Sequence, residues 1–242
     1  MSFEFLSVVK SLSDRRWISP SIKHERIAYS LVREHKISLL TAFLLAKRGV
    51  GSNALESYLS PKIKNLMPDP LLLKDMGKAS ERLLTAIQKK EKICIFADYD
   101  VDGTTSAAIL QLWLNHFKVK PELYIPDRLI EGYGPNPAAM EELSKRNKVI
   151  ICVDCGTVAH QSIKIATRNG TDVLILDHHI ADETLPPAVA VINPKRQDES
   201  SELEYLCAAG VVFLFLVSLN RILRERGINV PNIMNFLDLV AL

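Results

Sequence analysis

The segment ADYDVDGTTS (97–106) sets aspartates at 98, 100 and 102, then Gly103 and three hydroxyl residues. Carboxylates this close repel one another unless a cation neutralises them, so the segment reads as a cation site. Two more segments carry related chemistry: Asp154 in VDCG (153–156), and Asp177, His178 and His179 in LDHH (176–179). Imidazole mixed with carboxylate suits manganese, and magnesium less well because it favours oxygen alone. Several carboxylates around one centre imply two ions with one carboxylate bridging. That arrangement activates a water and stabilises the departing oxygen in phosphoryl transfer.

Two rival readings fail on the residues. D-x-D-x-D-G also opens an EF-hand calcium loop, but position 12 counted from Asp98 is Ile109 rather than a bidentate glutamate. That loop also follows a helix, whereas this one follows the apolar run KICIF (92–96). Gly103 with Thr104, Thr105 and Ser106 opens a helix whose N-terminal amides could receive a phosphate, with Ser106 a candidate contact. No lysine stands there, which argues against a Walker-type nucleotide site. A phosphate ester held against carboxylate-bound metal fits both features. The cysteines at 94, 152, 155 and 207 read as reduced, buried thiols, and Cys152-x-x-Cys155 alone is a weak zinc or redox signal.

The chain has 242 residues, 48% hydrophobic and 24% charged, enough for one large domain or two small ones. A net charge of +2 neither demands nor excludes a polyanionic partner. Residues 1–75 read as a helical leader, with a helix in 38–51 and prolines at 61, 68 and 70, ahead of a metal-binding domain over 76–242. There, helical spacing over 78–90, 104–117, 137–146 and 157–169 alternates with short apolar strands over 93–97, 123–125, 149–153 and 173–176. The expected fold is α/β: a mostly parallel sheet with helices on both faces. Asp98, Asp154 and Asp177 each follow a strand, so three segments deliver carboxylates to the rim where open parallel sheets bind ligands. LCAAGVVFLFLVSL (206–219) is shorter than the roughly 20 residues a bilayer requires and reads as a buried helix. MSFEFLSVVKSLSDRRW lacks the pattern of a secretory signal, and the expectation is a cytoplasmic protein without a membrane partner.

DYDVDGTTS, VDCG and DHH, in this order, resemble the DHH phosphoesterases. The rest of the chain resembles their RecJ branch of single-strand-specific DNA exonucleases. That likeness runs through YLSPKIKNLMPDPLLLKDMGKASERLLTAI, YIPDRLIEGYGPN, AVINPKR, CAAGVVF and FLDLVAL. It implies a manganese- or magnesium-dependent 5′-to-3′ exonuclease of DNA repair and recombination, in which metal-activated water attacks the phosphodiester. The implied partner is single-stranded DNA, with single-strand-binding protein and a helicase as further candidates. Other branches imply alternatives: a phosphoesterase of small nucleotides, or a scaffold that has lost its ligands.

Carried over by position, the resemblance assigns Asp98, Asp100 and Asp102 to the metal ligands, leaving open which ion each holds. Asp154 matches the bridging carboxylate, His178 a metal ligand and Asp238 the last ligand. His179 matches the histidine at the scissile phosphate, and Arg128, beside EGYG (131–134), could grip a phosphate in bidentate fashion. Phe96 stands where many relatives have a metal-binding histidine, so one ion is expected to bind weakly or to take water instead. Relatives usually have glycine in place of Ala97. Members of the branch continue into a second domain that grips nucleic acid, so the chain reads as the metal-binding part alone.

Overall fold

The computed structural model describes residues 8–242, and the opening residues 1–7 lie outside it, as does the part of the secretory-signal reading that rests on them. Two compact units divide the chain after Pro68. The first holds α1 (Ile22–His35), α2 (Leu39–Lys47), α3 (Ser52–Leu59) and α4 (Ile63–Leu66). Ser21 and Ser38 cap the first two helices, their hydroxyls accepting from the amides of His24 and Thr41. Ala28 and Leu31 pack with Ala42, Leu45, Ala46, Val50 and Leu55 into a small core of this unit's own.

The second unit, Asp69–Leu242, carries α5 (Met76–Gln88), β1 (Ile93–Ala97), α6 (Val101–His116), β2 (Glu122–Tyr124), α7 (Pro137–Ser144) and β3 (Val149–Val153). There follow α8 (His160–Arg168), β4 (Asp172–Leu176), β5 (Ala190–Ile192), α9 (Ala208–Glu225) and α10 (Leu237–Ala241). All five strands are parallel, in the order β2-β1-β3-β4-β5. Side chains alternate along a strand. One set, Cys94, Phe96, Ile150, Cys152, Val173 and Ile175, therefore packs under Met140 and Leu143 of α7 and Ile163 and Ala166 of α8. The other face is covered by α5, α6 and α9. Burial on both faces explains why ICIFA and VIICV are apolar throughout rather than alternating.

The expected α/β architecture is present, and β1 and β3 have the bounds read from the sequence. Helix α6 starts at Val101, three residues before the expected Thr104, because the Asp100 carboxylate accepts from Gly103 N at 3.0 Å and caps the helix. Most of the run 206–219 lies in α9, which begins at Ala208 after the capping Cys207, and all but Val217 of the residues 208–219 are buried. Among the described residues no helix is long and apolar enough to cross a membrane. Strand β5 was not anticipated.

The register makes the rim. Ala97 pairs with Val153, Val153 with Leu176, and Leu176 with Ile192. The residues that follow these strands, Asp98, Asp154, Asp177 and Asn193, are thus level with one another. Three inter-strand bonds hold that line: Asp98 N to Val153 O (3.4 Å), Asp154 N to Leu176 O (2.9 Å) and Asp177 N to Ile192 O (3.1 Å).

Candidate metal centre

The first carboxylate cluster is set by a tight turn from β1 into α6. A Cβ added to Gly103 would lie 2.4 Å from the carbonyl oxygen of Asp98, so the helix can approach the strand end this closely only with glycine there. Asp98 is buried and its Oδ1 has no hydrogen-bond partner among the described residues. Burial, with the charge of Asp100 added, raises its pKa above the usual carboxylate value. Asp102, in the first turn of α6, accepts from Ala208 N and Ala209 N, both at 2.7 Å. The CAAG segment thereby aims the first turn of α9 at the motif, and Asp102 supplies the negative charge which that helix end favours.

Asp154 stands at the centre of the rim. Its backbone is left-handed, with φ 59°, an uncommon state for a non-glycine residue. Two residues on, Gly156 has φ 111°, and a Cβ there would meet Cys152 Cβ at 3.2 Å, which accounts for the glycine of VDCG. Asp154 Oδ1 is buried without a hydrogen bond, 3.3 Å from His178 Nε2 and 3.9 Å from His179 Nδ1. Burial pushes its pKa up to about 8, and repulsion from Asp102 and Asp100 adds to the shift. Ligand atoms converge in two groups that share this residue: Asp98, Asp100 and Asp154, and Asp154, His178 and His179.

Asp177 organises the histidines rather than joining either group. Its Oδ1 accepts from His178 N (2.7 Å), His179 N (3.2 Å) and His179 Nδ1 (2.7 Å), while Oδ2 accepts from Thr157 N (3.1 Å). Burial opposes its ionisation, but the bonds from His179 and Thr157 outweigh it and hold the pKa at about 2. The same contact, led by the Asp177 hydrogen bond, raises the pKa of His179. Tyr133 of the EGYG segment donates its hydroxyl to the carbonyl of Asp154 (2.9 Å), and its oxygen lies 3.1 Å from His179 Nδ1.

Other expected residues fall at different distances from this centre. Arg128 is exposed, with its guanidinium over the ring of Tyr99 at 5.4 Å from the centroid, so it is tethered to the residue that lies between Asp98 and Asp100 in sequence. The Ser106 hydroxyl is fully buried, without solvent access and without a hydrogen-bond partner among the described residues. Asp238 is exposed on α10, bonded to its neighbour Leu239 N, and belongs to neither ligand group. His178 Nε2 also lies 3.5 Å from Asp102 Oδ2, so Asp102 adjoins the second group. Phe96 points into the core, stacked on Tyr124 at 5.2 Å, and offers no donor to the rim. Cys152 and Cys155 are buried free thiols outside both groups. Sequence reasoning assigned no role to Tyr133, Thr157 or Asn193. The EGYG and AVINPKR segments were the signals available for Tyr133 and Asn193.

The donor set fits a divalent cation. Two buried carboxylate oxygens, one on Asp98 and one on Asp154, have no hydrogen-bond partner among the described residues, a costly state that a cation would relieve. Oxygen ligands on one side and imidazole on the other match manganese, with magnesium able to use the oxygen-rich group.

The chain is similar to known proteins. The single-stranded-DNA-specific exonuclease RecJ of Bacillus subtilis is 34% identical over 232 residues, 95% of this chain and 29% of the relative. Its Escherichia coli counterpart is 34% identical over 207 residues, 82% of this chain and 35% of its own length. The chain thus spans about a third of the length of these curated relatives. A crystal structure of exonuclease RecJ bound to manganese superposes with a TM-score of 0.62 at 31% identity, over 70% of this chain and 42% of that one. RecJ from Thermus thermophilus in complex with Mn2+ gives 0.70 at 25% identity, over 92% and 30%. Residues 92–242 match the DHH family, N-terminal domain, and with its acidic and histidine motifs converged on one sheet rim the chain belongs to the DHH family.

Proposed function

We propose that the chain forms the metal-holding part of a phosphodiesterase that removes nucleotides from the 5′ end of single-stranded DNA, using manganese or magnesium. The observation that carries this reading is the pair of ligand groups sharing Asp154, the pattern expected of two ions with one bridging carboxylate. Asp98, Asp100 and Asp154 would hold one ion; Asp154 and His178 would hold the other, with Asp102 and Asp238 as further ligands. Bound divalent ions would supply Lewis-acid polarisation of the phosphodiester and a water acidic enough to attack it near neutral pH.

The protein's own groups do the positioning. Asp177 accepts from His179 Nδ1, which fixes the ring, leaves Nε2 as its second nitrogen and favours its charged form. In that protonated form His179 would suit the charge that grows on phosphate oxygens during transfer. Arg128, held over Tyr99, can present two parallel N–H groups to a substrate phosphate. Ser106 would contact phosphate only after a shift that opens its hydroxyl to solvent. Likeness to RecJ proteins, rather than any feature of the rim, supports the choice of single-stranded DNA and of the 5′ end.

The test is hydrolysis of a 5′-labelled single strand, against a dinucleotide, in manganese. Mononucleotide release from the strand's 5′ end, abolished by Asp154→Ala, is the expected result. Preferential cleavage of the dinucleotide would reassign the chain to the small-substrate branch.

A further inference from the structure

The segment AVINPKR (190–196) takes no part in the roles assigned so far, yet it ends on the rim. Its strand, β5, is held from the side opposite the centre. Asp75 Oδ2 accepts from Val191 N (3.0 Å) and from Arg196 Nη1 (2.8 Å), and Arg196 Nη1 also donates to Val191 O (2.7 Å). With the strand so fastened, Asn193 emerges level with Asp177 and is completely buried. Its side chain makes three of the four hydrogen bonds open to it. Nδ2 donates to His179 O (2.9 Å) and to Thr157 Oγ1 (2.9 Å), and Oδ1 accepts from Lys195 N (2.7 Å).

Those two donor bonds join different loops. Thr157 lies in the loop 154–159 that begins with Asp154, and His179 lies near the start of the loop 177–189 that begins with Asp177. A second link between the same loops runs from Thr157 N to Asp177 Oδ2 (3.1 Å). Each side chain of the Asp154, His178 and His179 group is therefore attached to a backbone segment that Asn193 helps to lock. We infer that Asn193 is a positioning residue for the metal centre: its amide clamps the two histidine-bearing residues against the Asp154 loop in ligand geometry. The inference rests on the metal-centre reading given above. It also explains a short edge strand carrying a two-sided Arg196–Asp75 brace. A buried amide with three fixed bonds has one rotamer open to it, which is what a fixed spacing between two ligand loops requires.

Manganese affinity tests this without reference to turnover. The bound fraction is read from the EPR signal of free Mn2+ as the ion is titrated into wild type, Asn193→Leu and Thr157→Val, with melting in EDTA measured in parallel. Thr157→Val removes the hydroxyl while keeping the side chain's shape and the backbone N–H that Asp177 uses. The expected result is a weakening of about 10–100-fold for Asn193→Leu, the range typical of groups that orient metal ligands, and a smaller loss for Thr157→Val. A lower Tm in EDTA with wild-type manganese affinity in both variants would reduce Asn193 to a packing residue and overturn the inference. Should Asn193→Leu fail to fold, unchanged affinity in Thr157→Val overturns it and weakened affinity upholds it. Failure of the wild type itself to bind manganese would instead overturn the metal-centre reading, and the inference with it.

Discussion

Asp154 answers to three opposing demands at once. Its backbone is in the left-handed region, its carboxylate is buried, and it faces the charges of Asp100 and Asp102. Such costs persist where function requires them and the surroundings enforce them. They also have a sign. The carboxyl ionises near 3.8 in the unfolded chain but only near pH 8 in the folded one. The folded state therefore holds a proton that the unfolded state has lost between those values, and stability falls as pH rises through this window. Asp154→Asn removes the titration. In EDTA it is expected to raise Tm by at least about 3 °C at pH 8.5, the shift for roughly 1 kcal/mol in a chain of this size, with little gain at pH 4. Calorimetry at the two pH values checks this; equal Tm shifts at both would contradict it. At this scale the sequence was informative about Asp98, Asp100, Asp154, His178 and His179, because residue type and strand-end placement are both visible in one dimension. Asn193 and Thr157 are ordinary polar residues whose role comes from register, and no residue type announces that. Asp102 is intermediate: its charge was legible, but its two bonds to the start of α9, more than a hundred residues on, were not.

At the scale of elements, the site depends on how closely helix starts approach strand ends. The contact of α6 with the end of β1 is the tightest example, since a methyl group on Gly103 would overlap the Asp98 carbonyl and α carbon. Gly103→Ala must push α6 away from β1 or twist the Asp98 peptide. A cost of about 1–3 kcal/mol is typical for overpacking, which predicts a Tm lower by several degrees. Because the strain falls on Asp98 and Asp100, manganese should also stabilise this variant less than wild type. A thermal melt with and without the ion shows both effects, and an unchanged response to manganese would contradict the second. Strands β1 and β3 were readable because burial on both faces leaves five apolar residues in a row. The three-residue β5 was not, and with it went the residue that follows it. Helix α6 could be placed by its apolar run but not started correctly, because Asp100 doubles as a cap and a candidate ligand.

The chain's near-neutral net charge hides a separation, because the sheet-bearing unit carries 23 acidic residues against 19 basic ones. Carboxylates gather at the strand ends that lead into helices. The turns on the other edge, which lead from helices into strands, carry KKEK (89–92), KVK (118–120) and KRNK (145–148). The sum of +2 is thus a poor guide to what the rim presents. That rim concentrates carboxylates and two buried oxygens without a hydrogen-bond partner among the described residues, so a divalent cation should bind the folded chain and not the unfolded one. The decisive measurement is Tm of the metal-free protein against manganese concentration, for wild type and for Asp154→Ala. One hundred times Kd of a ligand that binds only the folded state adds about 2.7 kcal/mol, equivalent to a rise of roughly 5–10 °C here. A continuing rise with manganese in wild type, absent in Asp154→Ala, is the predicted result. A wild-type Tm that does not move with manganese, or an equal rise in the variant, would contradict a metal centre built around Asp154.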